Sequence, residues 1–125
     1  MIALIVDDSA AMRRIQQTAL ETQDWQVEVA PTGEAALDKL RALERCDLLV
    51  TDWHMPGMGG LELVRAIRRD ARYAGLRILM VTSEGMLASI QQAIVAGAND
   101  FVMKPFSREA LIERVNEVMS RRTGV

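Results

Sequence analysis

Five short apolar runs alternate with five helix-like patterns along this chain, and few folds satisfy such a rhythm. The runs occupy 2–6, 26–30, 48–51, 78–81 and 101–103. Four are nearly continuous in Val, Ile, Leu and Met and end at turn residues, as strands buried on both faces of a parallel sheet do. The run at 26–30 alternates polar with apolar residues instead, which places it nearer a sheet edge.

Between the runs, apolar residues recur at helical spacing. The first helix pattern covers about 9–23, with Met12, Ile15 and Ala19 on one face. The second covers about 33–44, with Ala36, Leu40 and Leu43 inward, and the third about 60–71, with Leu63, Val64 and Ile67. In the fourth, about 85–96, Leu87, Ile90 and Ile94 share the spacing. The fifth, after Ser107, lines up Leu111, Ile112, Val115, Val118 and Met119. Ser9, Thr32 and Ser107 suit N-caps, and Gly75 and Gly97 stand where helices should stop. Strict alternation with short joins predicts an α/β, doubly wound (βα)5 sandwich with right-handed crossovers. The pattern alone leaves the strand order open.

A length of 125 residues makes this one domain, 1–125, with nothing left over for an output domain. A net charge of -2 gives no electrostatic case for nucleic acid or an anionic membrane surface. No apolar run approaches a membrane span, and Asp7-Asp8 arrives too early for a secretory leader. A lone cysteine, Cys46, cannot form an internal disulfide and reads as a small residue leading into a strand. A cytoplasmic protein is expected. Of the 15 basic residues 13 are Arg, which makes Lys104 an informative exception to Lys39 and the arginines.

The ends of the runs carry the chemistry. The first reaches Asp7-Asp8, the third Asp52, the fourth Thr82-Ser83 and the fifth Lys104-Pro105. In a parallel sheet these ends open on one edge, where ligands bind. Three carboxylates, a hydroxyl and an ammonium therefore converge. Clustered carboxylates repel, and a divalent cation relieves them; all-oxygen donors with open positions suit Mg²⁺, with Mn²⁺ as a substitute. For Asp7-Asp8 alone, capping of the next helix is the competing explanation. Asp52 is the expected nucleophile, since a carboxylate can take a phosphoryl group and most of that catalysis is positioning and charge neutralisation. Lys104 and Thr82 would supply part of the neutralisation.

Asp7-Asp8, the segment from Val50 through Asp52 to Pro56, Val81-Thr82 and Lys104-Pro105-Phe106 resemble the receiver domain of bacterial two-component response regulators. The likeness covers essentially the whole chain and is strongest to the stand-alone chemotaxis members. It implies a flavodoxin-like five-stranded parallel sheet in order 2-1-3-4-5. It also implies that Asp52 is the phospho-acceptor, charged by a sensor histidine kinase. Asp8 and Asp52 match the side-chain Mg²⁺ ligands, the backbone carbonyl of His54 the third protein ligand, and Asp7 a ligand acting through water. Lys104 matches the phosphoryl-contacting lysine, with a cis bond to Pro105, and Thr82 and Phe101 match the switch pair. The implied protein is a regulator rather than an enzyme, one that assists its own phosphorylation and dephosphorylation. Its signal would be read by a separate protein target through the surface of the fourth helix, fifth strand and fifth helix. A monomer is expected, with a weak dimer on phosphorylation as the variant.

Departures from the family pattern are informative. Phe101 stands where the chemotaxis proteins usually carry Tyr, and plain core packing competes with a switch role. His54 stands where Asn is frequent, near the path of hydrolytic water, so a lifetime-tuning role is expected; a solvated loop residue offering only its carbonyl is the alternative. Met55, Met58 and Met86 surround the expected mouth, where gap-filling explains them better than partner contact. Trp53, next to Asp52, is a built-in optical probe. A receiver excised from a larger transcription regulator or hybrid kinase is the main rival. Winged-helix regulators dimerise through charge pairs that Asp100 and Arg114 fit, but Ile90 and Ala110 do not. An aspartate-nucleophile phosphatase would want an acid at His54, and three acids would repel a flavin phosphate.

Overall fold

The structure is a computed structural model that describes residues 1–83 and 87–121, with Leu87 described by its backbone only. Met86 and the start of the fourth helix pattern, about which the sequence raised expectations, lie outside the described residues. Five parallel strands form one sheet in the order β2-β1-β3-β4-β5. They are β1 (Ile2–Val6), β2 (Gln26–Ala30), β3 (Leu48–Asp52), β4 (Arg77–Thr82) and β5 (Asp100–Met103). The helices between and after them are α1 (Ala10–Glu21), α2 (Gly33–Ala42), α3 (Gly60–Arg68), α4 (Leu87–Ala96) and α5 (Arg108–Ser120). A short 3-10 turn at Ala71–Tyr73 precedes β4. The expected order 2-1-3-4-5 is the one observed, with the alternating β2 on an edge.

Successive strand residues point to opposite faces, and the core divides accordingly. Leu4, Val6, Leu49, Ile78 and Met80 pack with Ala36, Leu40, Leu63, Val64, Ile67 and Ala93 on the face covered by α2, α3 and α4. Ala3, Ile5, Leu48, Val50, Leu79, Val81 and Val102 pack with Ala19, Leu20, Leu111, Val115 and Val118 under α1 and α5. Because β1, β3 and β4 are covered on both sides, their sequences are apolar at nearly every position.

The helix ends follow local chemistry. Ser9, Thr32 and Ser107 accept from the backbone N–H of Met12, Ala35 and Ala110 respectively, each offering an oxygen to a helix N–H that would otherwise lack a partner. After α4, Gly97 adopts φ +122°, and its N–H and that of Ala98 return to the Ala93 carbonyl. The third pattern ends early, at Arg68, because Asp70 caps a separate 3-10 turn.

Two inward faces differ from the sequence expectation. On α1 the buried residues are Gln16, Ala19 and Leu20, while Ile15 is 52% exposed. The stripe is rotated because a polar residue, Gln16, occupies an inward position, which hydrophobic periodicity cannot detect. On α4 Ala93 makes the deep contact and Ile94 is exposed, so the small residue, not the large one, sets how closely the helix approaches.

Candidate functional site

β1, β3, β4 and β5 are consecutive in the sheet, so the residues at their carboxyl ends form one row: Asp7 and Asp8, Asp52, Thr82, then Lys104. All four strands run parallel, and the register that pairs Val6 with Thr51, Asp52 with Val81 and Thr82 with Met103 brings their ends level. The three carboxylates each offer an oxygen within 4.8 Å of the others. Asp7 and Asp52 are buried and Asp8 is exposed, so the cluster has an open side.

Lys104 spans the buried pair. Its Nζ lies 3.4 Å from Asp52 Oδ1 and 3.5 Å from Asp7 Oδ2. Its backbone N–H donates to the Thr82 carbonyl, and the peptide bond to Pro105 is cis. Burial, and after it the charge of Asp7, raises the Asp52 carboxyl above its ordinary value, while Lys104 and the Trp53 N–H act against this. The Trp53 N–H donates to Asp52 Oδ1 at 3.0 Å and to the Val81 carbonyl at 2.8 Å, which fixes the end of β3 to the next strand.

Asp7 is held from three sides. Its Oδ1 accepts from the Ser9 N–H at 2.9 Å, its Oδ2 faces Gln16 Nε2 at 3.4 Å, and its carbonyl accepts from Arg13 at 2.7 Å. The capping role considered for this acid is therefore partly real: Asp7 fastens the turn into α1. Thr82 is buried at the end of β4. Phe101 is half-buried against the α2–α4 side of the core, with the Arg114 guanidinium 5.8 Å from its ring centre.

His54 is exposed, in the loop between Asp52 and α3. It lines an open cleft of about 560 Å³ that runs from Asp8 past Trp53 and Met55 towards Glu62 and Arg65. Met55 and Met58 are half-buried and pack against the core, and Met58 fills the space a side chain at Gly33 would need. This is the gap-filling role expected for them.

Sequence reasoning passed over three residues, two at the site and one at the opposite edge of the sheet. Gln16 was not singled out, because a polar residue at an inward position leaves no mark in the hydrophobic pattern of the helix. Gly60 was taken as a helix start, yet a Cβ there would collide with the Asp52 carbonyl. Arg68 donates to the carbonyls of Gly97, Tyr73 and Leu76 and to Asn99 Oδ1, knitting the end of α3 to the turn before β5.

The donor set suits a hard divalent cation. It consists of carboxylate oxygens, partly open to solvent, with negative charge in excess of the one ammonium, and Mg²⁺ favours such sites while keeping part of its water shell. Fold and crevice together define a doubly wound α/β protein with an acidic site at the carboxyl edge of a parallel sheet. The chain belongs to the response regulator receiver domain family, whose model matches residues 3–116. Among curated proteins, a chemotaxis protein CheY of Pseudomonas aeruginosa is 42% identical over 125 residues, covering 99% of this chain and 100% of its own. A CheY homolog of Campylobacter jejuni is 40% identical, covering 99% of this chain and 96% of its own. Among solved structures, the chemotaxis response regulator CheY4 of Vibrio cholerae superposes with a TM-score of 0.89 at 34% identity, over 94% of this chain and 97% of that one. This is a CheY-like receiver domain of two-component signalling, and the family consists of signalling regulators. No helix among the described residues is long and apolar enough to cross a membrane.

Proposed function

We propose that Asp52 accepts a phosphoryl group from a histidine-phosphorylated sensor kinase and that the modified domain, as a single unit over 1–125, binds a separate protein target. An Asp52 oxygen forms the new O–P bond as the P–N bond to the donor imidazole breaks, and the imidazole leaves carrying the electron pair and takes a proton. The observation that carries this reading is the placement of Asp52 within 4.8 Å of two further carboxylates and 3.4 Å from the Lys104 ammonium. Lys104 is in reach to meet charge on the transferred group, and Thr82, at the end of the neighbouring strand, to turn its hydroxyl towards it. Mg²⁺, when bound, would neutralise charge on the phosphoryl oxygens. Asp8 and Asp52 would hold it by their side chains, His54 by its carbonyl, and Asp7 through water.

The response passes outward at β5. Phe101 lies on the strand beside β4 and is only half-buried, so its ring can move as Thr82 moves, changing the surface of α4, β5 and α5. The curated relatives are named as chemotaxis proteins, which favours a motility-related target. The test is phosphorylation by acetyl phosphate with Mg²⁺, read by intact mass on the wild type and Asp52→Ala. One added phosphoryl group on the wild type alone is expected; equal labelling of both removes Asp52 as acceptor.

A second reading, a receiver within a larger regulator, is supported by solved relatives of about twice this length. A probable two-component response regulator/GGDEF domain protein matches with a TM-score of 0.89 at 30% identity, over 95% of this chain but 49% of its own. Against a winged-helix type of dimer, Asp100 is already engaged within the chain, 3.3 Å from Arg114 and 2.6 Å from Arg121. A coding sequence that continues past Val125 into an output domain would favour this second reading.

A further inference from the structure

We propose that Gln16 is a positioning residue for Asp7, and through it for the cation end of the crevice; this rests on the phospho-acceptor reading above. Gln16 is 1% exposed, on the face of α1 that packs on the sheet. An ionised carboxylate can only accept, so the amide must present its NH₂ to Asp7, and Nε2 lies 3.4 Å from Asp7 Oδ2. That orientation leaves the Gln16 Oε1 buried and, among the described residues, without a hydrogen-bond partner. An unmade bond on a buried acceptor disfavours the fold. A leucine of similar bulk would serve the core better. The amide is accounted for only by what it does to Asp7.

The geometry shows what that is. Asp7 Oδ1 accepts from the Ser9 N–H, while Oδ2 is shared by Gln16 and by Lys104, whose Nζ lies 3.5 Å away. When Lys104 turns to a phosphoryl group on Asp52, Oδ2 loses its charged neighbour. Gln16, fixed on a helix packed against the sheet, remains as the donor to that oxygen. It keeps the plane of the Asp7 carboxylate in place while Lys104 changes partners. A rule of core patterning is broken here at a functional position, where such breaks concentrate.

The experiment uses Gln16→Leu and Gln16→Met, both apolar and close to glutamine in size. Thermal unfolding is measured in EDTA, and Mg²⁺ affinity by calorimetric titration with tryptophan fluorescence in parallel. The expected result is a split. The metal-free variants melt at or above the wild-type temperature, because the orphaned carbonyl is gone. Their Mg²⁺ dissociation constant rises about tenfold, the scale of one hydrogen bond to a charged group. A merely structural glutamine would move the melting temperature and leave the Mg²⁺ affinity alone. Unchanged affinity in both variants overturns the proposal, as does unfolding of both in EDTA, which would make the amide a determinant of the fold. A wild type that binds no Mg²⁺ overturns instead the reading on which this rests.

Discussion

The backbone N–H of Lys104 donates to the carbonyl oxygen of Thr82 at 2.8 Å. The residues proposed to sense charge on Asp52 are thus joined through the sheet, one at the end of β4 and the other just after β5. A displacement at either strand end is passed to the other through this backbone bond.

Lys104 is the cation shared by Asp7 and Asp52. Lys104→Met should slow phosphorylation by acetyl phosphate by about tenfold or more, the scale of a lost electrostatic contact to a transferring group. Intact-mass time courses at saturating Mg²⁺ measure this. A rate equal to wild type would show that the ammonium plays no part in the transfer.

Asp52 gives a pH signature. Its carboxyl binds a proton more tightly in the folded chain than in the unfolded one, because burial and Asp7 outweigh Lys104 and the Trp53 N–H. Below the unfolded value near 3.8, both states are protonated and folding is not penalised. The penalty grows as pH rises from there through the folded value and is constant above it. In EDTA at neutral pH, Asp52→Asn should therefore melt a few degrees above the wild type, with the gain shrinking as pH falls towards the unfolded value. A variant that melts lower at neutral pH would contradict this balance of charges.

Gly60 has no room for a side chain. A Cβ would run into the Asp52 carbonyl and come within 3.1 Å of Trp53 Cα, both of them backbone atoms that cannot rotate away. Gly60→Ala should cost about 2 kcal/mol, the scale of an overpacked core position. Denaturant unfolding reads the loss directly, and a midpoint equal to wild type would mean that α3 shifts freely.

His54 lies at the open side of the acidic cluster, two residues beyond the proposed acceptor. Replacing it by Asn should change the rate of dephosphorylation severalfold while leaving the site of labelling at Asp52. Decay followed after removal of the phosphodonor tests this, and identical lifetimes would reduce His54 to its backbone carbonyl.

Cys46 should be chemically quiet. Burial pushes its thiol up to about 11, and its Sγ lies 3.3 Å from the Leu48 carbonyl, to which the thiol can donate. Alkylation near neutral pH should run roughly a hundredfold slower than in the unfolded chain, following the thiolate fraction. Labelling at equal rates in buffer and in urea would place the thiol in solvent.

The sheet and the placement of the acids were legible because both arise from uninterrupted local patterns. Leu48, Leu49 and Val50 had to be a strand covered on both faces, and Asp52 had to fall at its end. The interior geometry of the crevice was not legible. Gln16 reaches Asp7 from a helix whose phase cannot be set by hydrophobicity when an inward position is polar. Nor was the opposite edge of the sheet, where Arg68 ends α3 and bonds carbonyls 5, 8 and 29 residues away, a meeting that only the folded topology creates. Even Asp100 and Arg114, legible as a charge pair, proved to satisfy each other within one chain, because β5 and the middle of α5 pack side by side.

Arg77 opens β4 and donates to the backbone carbonyl of Arg121, just past the end of α5. Thr82 closes the same strand at the acidic edge, roughly 17 Å away at the usual rise per residue. The two poles of the molecule are therefore divided between tasks. A fluorophore or resin attached at the end of α5 sits at the pole opposite Asp52, clear of the acidic crevice.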